Sequence, residues 1–157
     1  MKIDAATLAT QPFFQGLPPE LLTMLAQEAM PVEFKTGEII FSEGGVANRL
    51  YLLLRGRVAL ESPIDMEHEP VAIETVGPGS MLGWSWLFPP YYWHFDARAV
   101  TPVKAIFFYG TRLREQCESN HELGYELMKR VCGVVIERLQ ATRRHLVEQS
   151  NTLLMPI

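Results

Sequence analysis

An α+β fold is predicted: an antiparallel double-stranded β-helix, or jelly-roll-like β-roll, with short N-terminal helices and a long C-terminal helix. Three observations predict it. Up to about residue 30, apolar residues recur at helical spacing. Between residues 32 and 109, short runs of β-branched and aromatic residues alternate with glycines. From residue 111 to 149 the helical period returns.

Leu17-Pro18-Pro19-Glu20 starts the principal N-terminal helix. Proline suits a first helical turn, and an acid suits its positive end. Leu21, Leu22, Leu25, Ala26 and Ala29 form its apolar stripe, Phe13 and Phe14 are placed to pack against it, and Pro31 is expected to end it. Strands are then expected at 38–41, 50–54, 57–60, 71–76 and 103–108, with Arg98-Ala99-Val100-Thr101 on a further strand. Glycines at 37, 44, 45, 56, 77, 79 and 110 mark the turns. Many short strands with regular turns close into a barrel, sandwich or roll.

Thr111 is expected to cap a short helix and Asn120 a long one, with Glu122 and Glu126 near the latter's positive end. Met128, Val131, Val135, Leu139, Thr142 and Leu146 recur at spacings of three and four on that helix. Lys129, Arg130, Glu137, Arg138, Arg143 and Arg144 are assigned to its opposite face. The stripe exceeds what one small roll can cover. Its residues Val131, Val135, Leu139, Thr142 and Leu146 are read as a seam with a second copy, hence a homodimer. The tail from Asn151 to Ile157 is expected to fray or to dock on the partner. The division expected is residues 1–119 for the helices and roll, and 120–157 for the dimerisation helix and tail, within one structural domain.

The chain has 157 residues, of which 48% are hydrophobic and 20% charged, enough for a core without staples. Its net charge of -4 supplies no global field for phosphates and argues against nucleic-acid binding. No apolar run has the length of a membrane span, and no secretory signal opens the chain. Its two cysteines, Cys117 and Cys132, are read as reduced thiols in a cytoplasmic protein. The proximity of His121 to Cys117 in sequence fixes no geometry for a thiol switch or haem ligand.

Two stretches carry a family resemblance. Phe13-Phe14-Gln15-Gly16-Leu17, followed by Phe34-Lys35-Thr36-Gly37-Glu38-Ile39-Ile40-Phe41-Ser42-Glu43-Gly44, resembles the opening of the cyclic nucleotide-binding domain family. That family includes cAMP-receptor and Fnr-type regulators, kinase regulatory subunits and gated channels. Tyr51-Leu52-Leu53-Leu54-Arg55-Gly56-Arg57-Val58 looks like its strand-turn-strand, and Gly79-Ser80-Met81-Leu82-Gly83 like the approach to its phosphate-binding cassette. The resemblance spans about Phe13 to Arg144. It implies a regulatory domain in which a short helix presents backbone N–H groups to a cyclic phosphate. In the family an arginine neutralises that phosphate, and a glutamate after the cassette glycine accepts from the ribose.

The cassette here departs from that pattern. Trp84 follows Gly83 where a nucleotide-binding member carries glutamate, and Trp93 or a neighbour falls at the phosphate-arginine position. Arg98 is the only arginine nearby, and it lies late on a strand whose faces alternate. The candidate pocket comprises Gly83, Trp84, Ser85, Trp86, Leu87, Trp93, His94 and Arg98. All three tryptophans of the chain lie within it. They build either a cage for a flat or apolar ligand or a plug in the nucleotide pocket, and the sequence leaves both open.

No catalytic residues, metal site or cofactor are expected. There is no Gly-x-Ser-x-Gly elbow, no phosphate loop ending in Lys-Ser/Thr and no HExxH. His94 has no second ligand at metal spacing, His68 sits in a charged turn at 65–69, and His121 and His145 lie on the long helix. No winged helix-turn-helix is expected after Arg144, so direct DNA binding is not expected either. The expected function is a regulatory or sensor module, not an enzyme, that does not take cAMP or cGMP in the usual way. It acts through its dimer and a partner protein, with a small-molecule effector as an option. The alternatives are a genuine cyclic-nucleotide signalling domain and a structural interaction protein with a filled pocket.

Overall fold

Strands β3 (Arg49–Arg55) and β8 (Val103–Tyr109) show how the chain divides its interior. Both are buried on both faces. Leu50 and Leu52 with Ile106 and Phe108 point one way, Tyr51 and Leu53 with Ala105 and Phe107 the other. The two-residue period of a strand makes that division. The first set meets the helices, and the second set fills the roll.

The protein is described by a computed structural model over residues 2–154, with side chains over 2–151. Two antiparallel sheets of four strands form the roll. The first has the order β1 (Met30–Phe34), β8, β3, β6 (Met81–Leu82). The second runs β2 (Ile39–Phe41), β7 (Asp96–Ala99), β4 (Val58–Ser62), β5 (Val71–Val76). Inside lie Phe41, Val58, Leu60, Trp93, Ala97 and Ala99. This is the α+β roll with flanking helices that the glycine spacing predicts.

Outside the first sheet pack α1 (Ala5–Ala9), α2 (Pro19–Ala26), α3 (Gly110–Ser119) and α4 (His121–Leu154). Asp4 caps α1 through the N–H and hydroxyl of Thr7, and those bonds hold its carboxyl below the usual range. The Asn120 carboxamide accepts from the N–H of Leu123 and starts α4 as its sequence implies. Three boundaries differ from the sequence reading. α2 ends at Ala26, and Pro31 lies inside β1, at the sheet edge where its missing N–H costs no ladder bond. The strand around Arg98 is Asp96–Ala99, because Ala97 and Ala99 reach the roll interior. α3 starts at Gly110 without a cap from Thr111.

At 34 residues, α4 is about 50 Å long. Leu123, Leu127 and Val131 dock it on the helix-side core. Beyond them Ile136, Leu139, Leu146 and Val147 are exposed. Two of its cations depart from the expected outward face. The side chains of Arg130 and Arg138 are 13% and 11% exposed and turn back to their own domain. The expected behaviour of the tail from Met155 onward lies outside the described residues.

Candidate functional site

The turn after β6 builds the site. Gly83 adopts φ +92, a left-handed conformation that favours glycine. A Cβ there would lie 2.6 Å from Cη2 of Trp93. Sterics therefore require glycine beneath the indole as well as in the turn. Trp93 stacks on Phe41, with ring centroids 4.0 Å apart and planes at 14°. Its backbone is pinned by a pair of 2.9 Å bonds, its N–H donating to the Gly45 carbonyl and its own carbonyl accepting from Gly44 N–H. Trp93 thus occupies the roll interior above Gly83.

Trp86 turns the opposite way from the short 3-10 helix Ser85–Leu87. It is fully buried in the helix-side core, and its indole N–H donates to the Gly83 carbonyl at 2.7 Å. A Cβ on Gly110 would lie 2.6 Å from its Cβ, so this tryptophan also rests on a glycine. The guanidinium of Arg114 donates to the Trp86 carbonyl and lies 4.2 Å from the Tyr91 ring centroid. These contacts lock the loop between the two buried tryptophans.

Trp84 is left half-buried between the roll and α4. With Leu60, Ile73, Phe95, Val135 and Leu139 it lines an apolar cleft of about 260 Å³, which Thr142 and Arg138 also border. Phe95 stands 5.6 Å from Trp84, and the Arg138 guanidinium 5.1 Å from its ring. Arg138 donates to the Met81 carbonyl at 2.5 Å, and its Nε lies 3.7 Å from Glu74 Oε2. Burial pushes its pKa down to about 10, so it stays charged at neutral pH.

The structure therefore separates the candidate residues. Gly83 and Trp93 lie in the roll interior, Trp86 in the helix-side core with Leu87 against it, and Ser85 in the buried short helix. Only Trp84 among them borders the cleft. His94 is exposed. Arg98 leaves the pocket: strand alternation puts it opposite Ala97 and Ala99, where it donates to Glu61 at 2.8 and 3.3 Å.

The expected seam is likewise divided. Val131 is fully buried in its own domain and leaves it. Val135, Leu139 and Thr142 border the cleft, while Leu146 is 63% exposed. Sequence reading missed Leu60, Ile73, Phe95 and Arg138 as lining residues. Arg138 was findable, since it lies two helical turns after Val131 and so on the docked face.

Among the described residues, no group of three His, Cys, Asp or Glu is placed to hold a metal. No helix of the described residues is long and apolar enough to cross a membrane. Cys117 is half-buried, and burial raises its pKa, which makes it a poor nucleophile.

Comparison with known proteins places this geometry. The family model described as cyclic nucleotide-binding domain matches residues 31–120. The chain is 28% identical over 143 residues to a CRP-like cAMP-activated global transcriptional regulator of Mycobacterium tuberculosis. The match covers 90% of this chain but only 61% of that regulator's length. A crystal structure from Geobacter metallireducens GS-15, of a protein described as cyclic nucleotide-binding, is 36% identical with a TM-score of 0.78. The match covers 87% of this chain and 98% of that one. The regulatory subunit of a cAMP-independent protein kinase A from Trypanosoma cruzi, bound to guanosine, is 26% identical with a TM-score of 0.63. There the shares are 72% of this chain and 39% of that one.

Proposed function

We propose that this chain, which belongs to the cyclic nucleotide-binding domain family, is a regulatory module that reads a signal other than a cyclic phosphate and passes it on through a dimer of α4 helices. One observation carries the reading: the Trp93 ring covers the cassette glycine Gly83 and stacks on Phe41, where the family resemblance puts the phosphate-binding arginine at Trp93 or a neighbour. A dianionic or monoanionic group there would face an indole and a phenyl ring in place of a guanidinium. Burying a charge without a partner is heavily unfavourable. Trp84 likewise replaces the carboxylate expected to accept from a ribose.

The apolar cleft beside Trp84 favours an effector with a flat, uncharged face, which its indole and Phe95 can cover. The kinase regulatory subunit bound to guanosine supports a ligand without phosphate within this family. Because Val135, Leu139 and Thr142 border the cleft, an effector there contacts α4 directly. Leu139 is also 64% exposed and continues toward Leu146. A two-fold axis along α4 would set these residues against their own copies in the partner, and an isologous seam of this kind suits a helix with one apolar stripe. Binding of the cleft would then bias the geometry of the pair.

Thermal unfolding of the intact chain with cAMP, cGMP, adenosine and guanosine tests this reading. No concentration-dependent rise in Tm is expected with the cyclic nucleotides, since only a ligand that binds the folded state raises it. A rise that saturates with cAMP or cGMP would overturn it.

A further inference from the structure

Arg49 stands at the mouth of the roll. The two-residue period of β3 puts it on the same face as Tyr51 and Leu53, the face that fills the roll. Its guanidinium lies 4.1 Å from the Phe107 ring centroid and 5.4 Å from that of Tyr109. It also stands beside the Tyr51 hydroxyl, where it opposes the rise in pKa that burial gives the phenol. Among the described residues it forms no ion pair. Ring faces cover the plane of a guanidinium and leave the N–H groups on its edge unspent.

Arg49 and Tyr51 line a surface hollow of about 320 Å³ with Ser42, Gly45, Asn48 and Trp93. The pyrrole end of Trp93 faces this side. A Cβ on Gly45 would lie 3.6 Å from its Cδ1, the carbon next to the indole nitrogen, whereas one on Gly83 meets the benzo end. The buried unpaired side-chain atoms of the described residues belong to Gln11, Glu74, Gln116 and Arg138. The Trp93 N–H also lacks a protein partner but is not among them, so it meets solvent. No Arg49 nitrogen is among them either, and that side chain is only partly buried. Each polar side chain around the hollow can donate, and no acidic residue lines it. Arg49 carries the one formal charge in the lining.

We propose that this hollow binds a small monocarboxylate, its oxygens accepting from the Arg49 guanidinium and the Trp93 indole N–H. One guanidinium balances one negative charge, and its planar edge matches a planar carboxylate. Ile40 and Val46 complete the wall and take a short carbon chain. The ligand approaches Trp93 from the end opposite Gly83, so the indole keeps its place over the glycine. It joins the β2–β3 turn, β3 and the cassette loop. The site is separate from the cleft beside Trp84 and does not depend on what that cleft takes.

The test is nitrogen–proton correlation spectroscopy of the three indole N–H groups in the intact chain. Acetate, butanoate and benzoate are each titrated to about 50 mM at low background salt, where screening is least. The Trp84 signal is assigned from Trp84→Phe. The Trp86 signal is assigned from slow hydrogen exchange, since its N–H is bonded to the Gly83 carbonyl in the core. The Trp93 signal is expected to move downfield and saturate with at least one acid, while the Trp86 signal stays. Arg49→Gln is expected to weaken this response about tenfold or more. Because that change also removes ring contacts, Asn48→Asp is the second variant. Its carboxylate, at an exposed position, repels the ligand or occupies Arg49, and a similar loss is expected. A Trp93 signal that none of the three acids moves overturns the proposal. So does an equal movement with sodium chloride at matched ionic strength, or a folded Asn48→Asp protein that responds as the parent does.

Discussion

Trp93 is buried in the roll, stacked on Phe41 with its rim on Gly83, while Trp84 is half-buried beside open space between the roll and α4. The two indoles belong to one loop and share the Gly83 turn. They differ in what their neighbours leave free. Phe41 stacks on Trp93 and leaves it 5% exposed, with one edge toward a surface hollow shared with Tyr51, whereas Trp84 looks onto a cleft whose far wall is a helix. The cassette glycine is covered by side chain, and the space against α4 keeps its volume.

The largest expected effect probes the covered glycine. Trp93→Ala should cost about 3–5 kcal/mol, the range for emptying a buried large aromatic site. Trp84→Ala should cost about 1–2 kcal/mol, because only part of its apolar area is removed from water. Equal losses in urea unfolding would break the contrast between the two indoles. Gly83→Ala comes next. Its Cβ would meet the Trp93 ring, and its φ is left-handed, so a loss of about 2–3 kcal/mol is expected in the same measurement. An unchanged midpoint would mean that the indole gives way easily and the filling is loose.

Leu139→Glu probes the open cleft. Placed on the exposed stripe of α4, the carboxylate should weaken self-association about tenfold or more, read as molar mass against concentration by light scattering, with the roll still folded. A mass that does not change would remove Leu139 from the seam. The smallest effect belongs to Arg98→Ala. Its pair with Glu61 lies on the outer sheet face with the arginine 38% exposed, so about 0–1 kcal/mol is expected and no change in ligand response. A change in ligand response would return Arg98 to the site.

The fold was legible because its signals are local. Glycines at tight turns, β-branched runs between them and the Asn120 cap each act through a few neighbouring residues. The site was legible only in its residue types. Three tryptophans in one loop mark the place, yet which way each ring points depends on partners far off in the chain. Trp93 packs on Phe41 within the roll, and Trp86 rests on Gly110 in the helix-side core. Arg130 and Arg138 were read as solvated because their chemistry favours water. They turn inward because the N-terminal segment and the roll offer them the carbonyls of Gln15 and Met81, contacts 115 and 57 residues away in sequence. Val131 left the expected seam for a similar reason, since the helix-side core reaches further along α4 than one apolar stripe reveals.

Calorimetric titration of cAMP into the intact chain at physiological salt tests the covering of Gly83 most directly. With Trp93 in place the heats should remain those of dilution up to about 1 mM nucleotide. A saturable isotherm with a micromolar Kd and one site per chain would contradict the account, for it would require the indole to leave Gly83 and a cyclic phosphate to take its place.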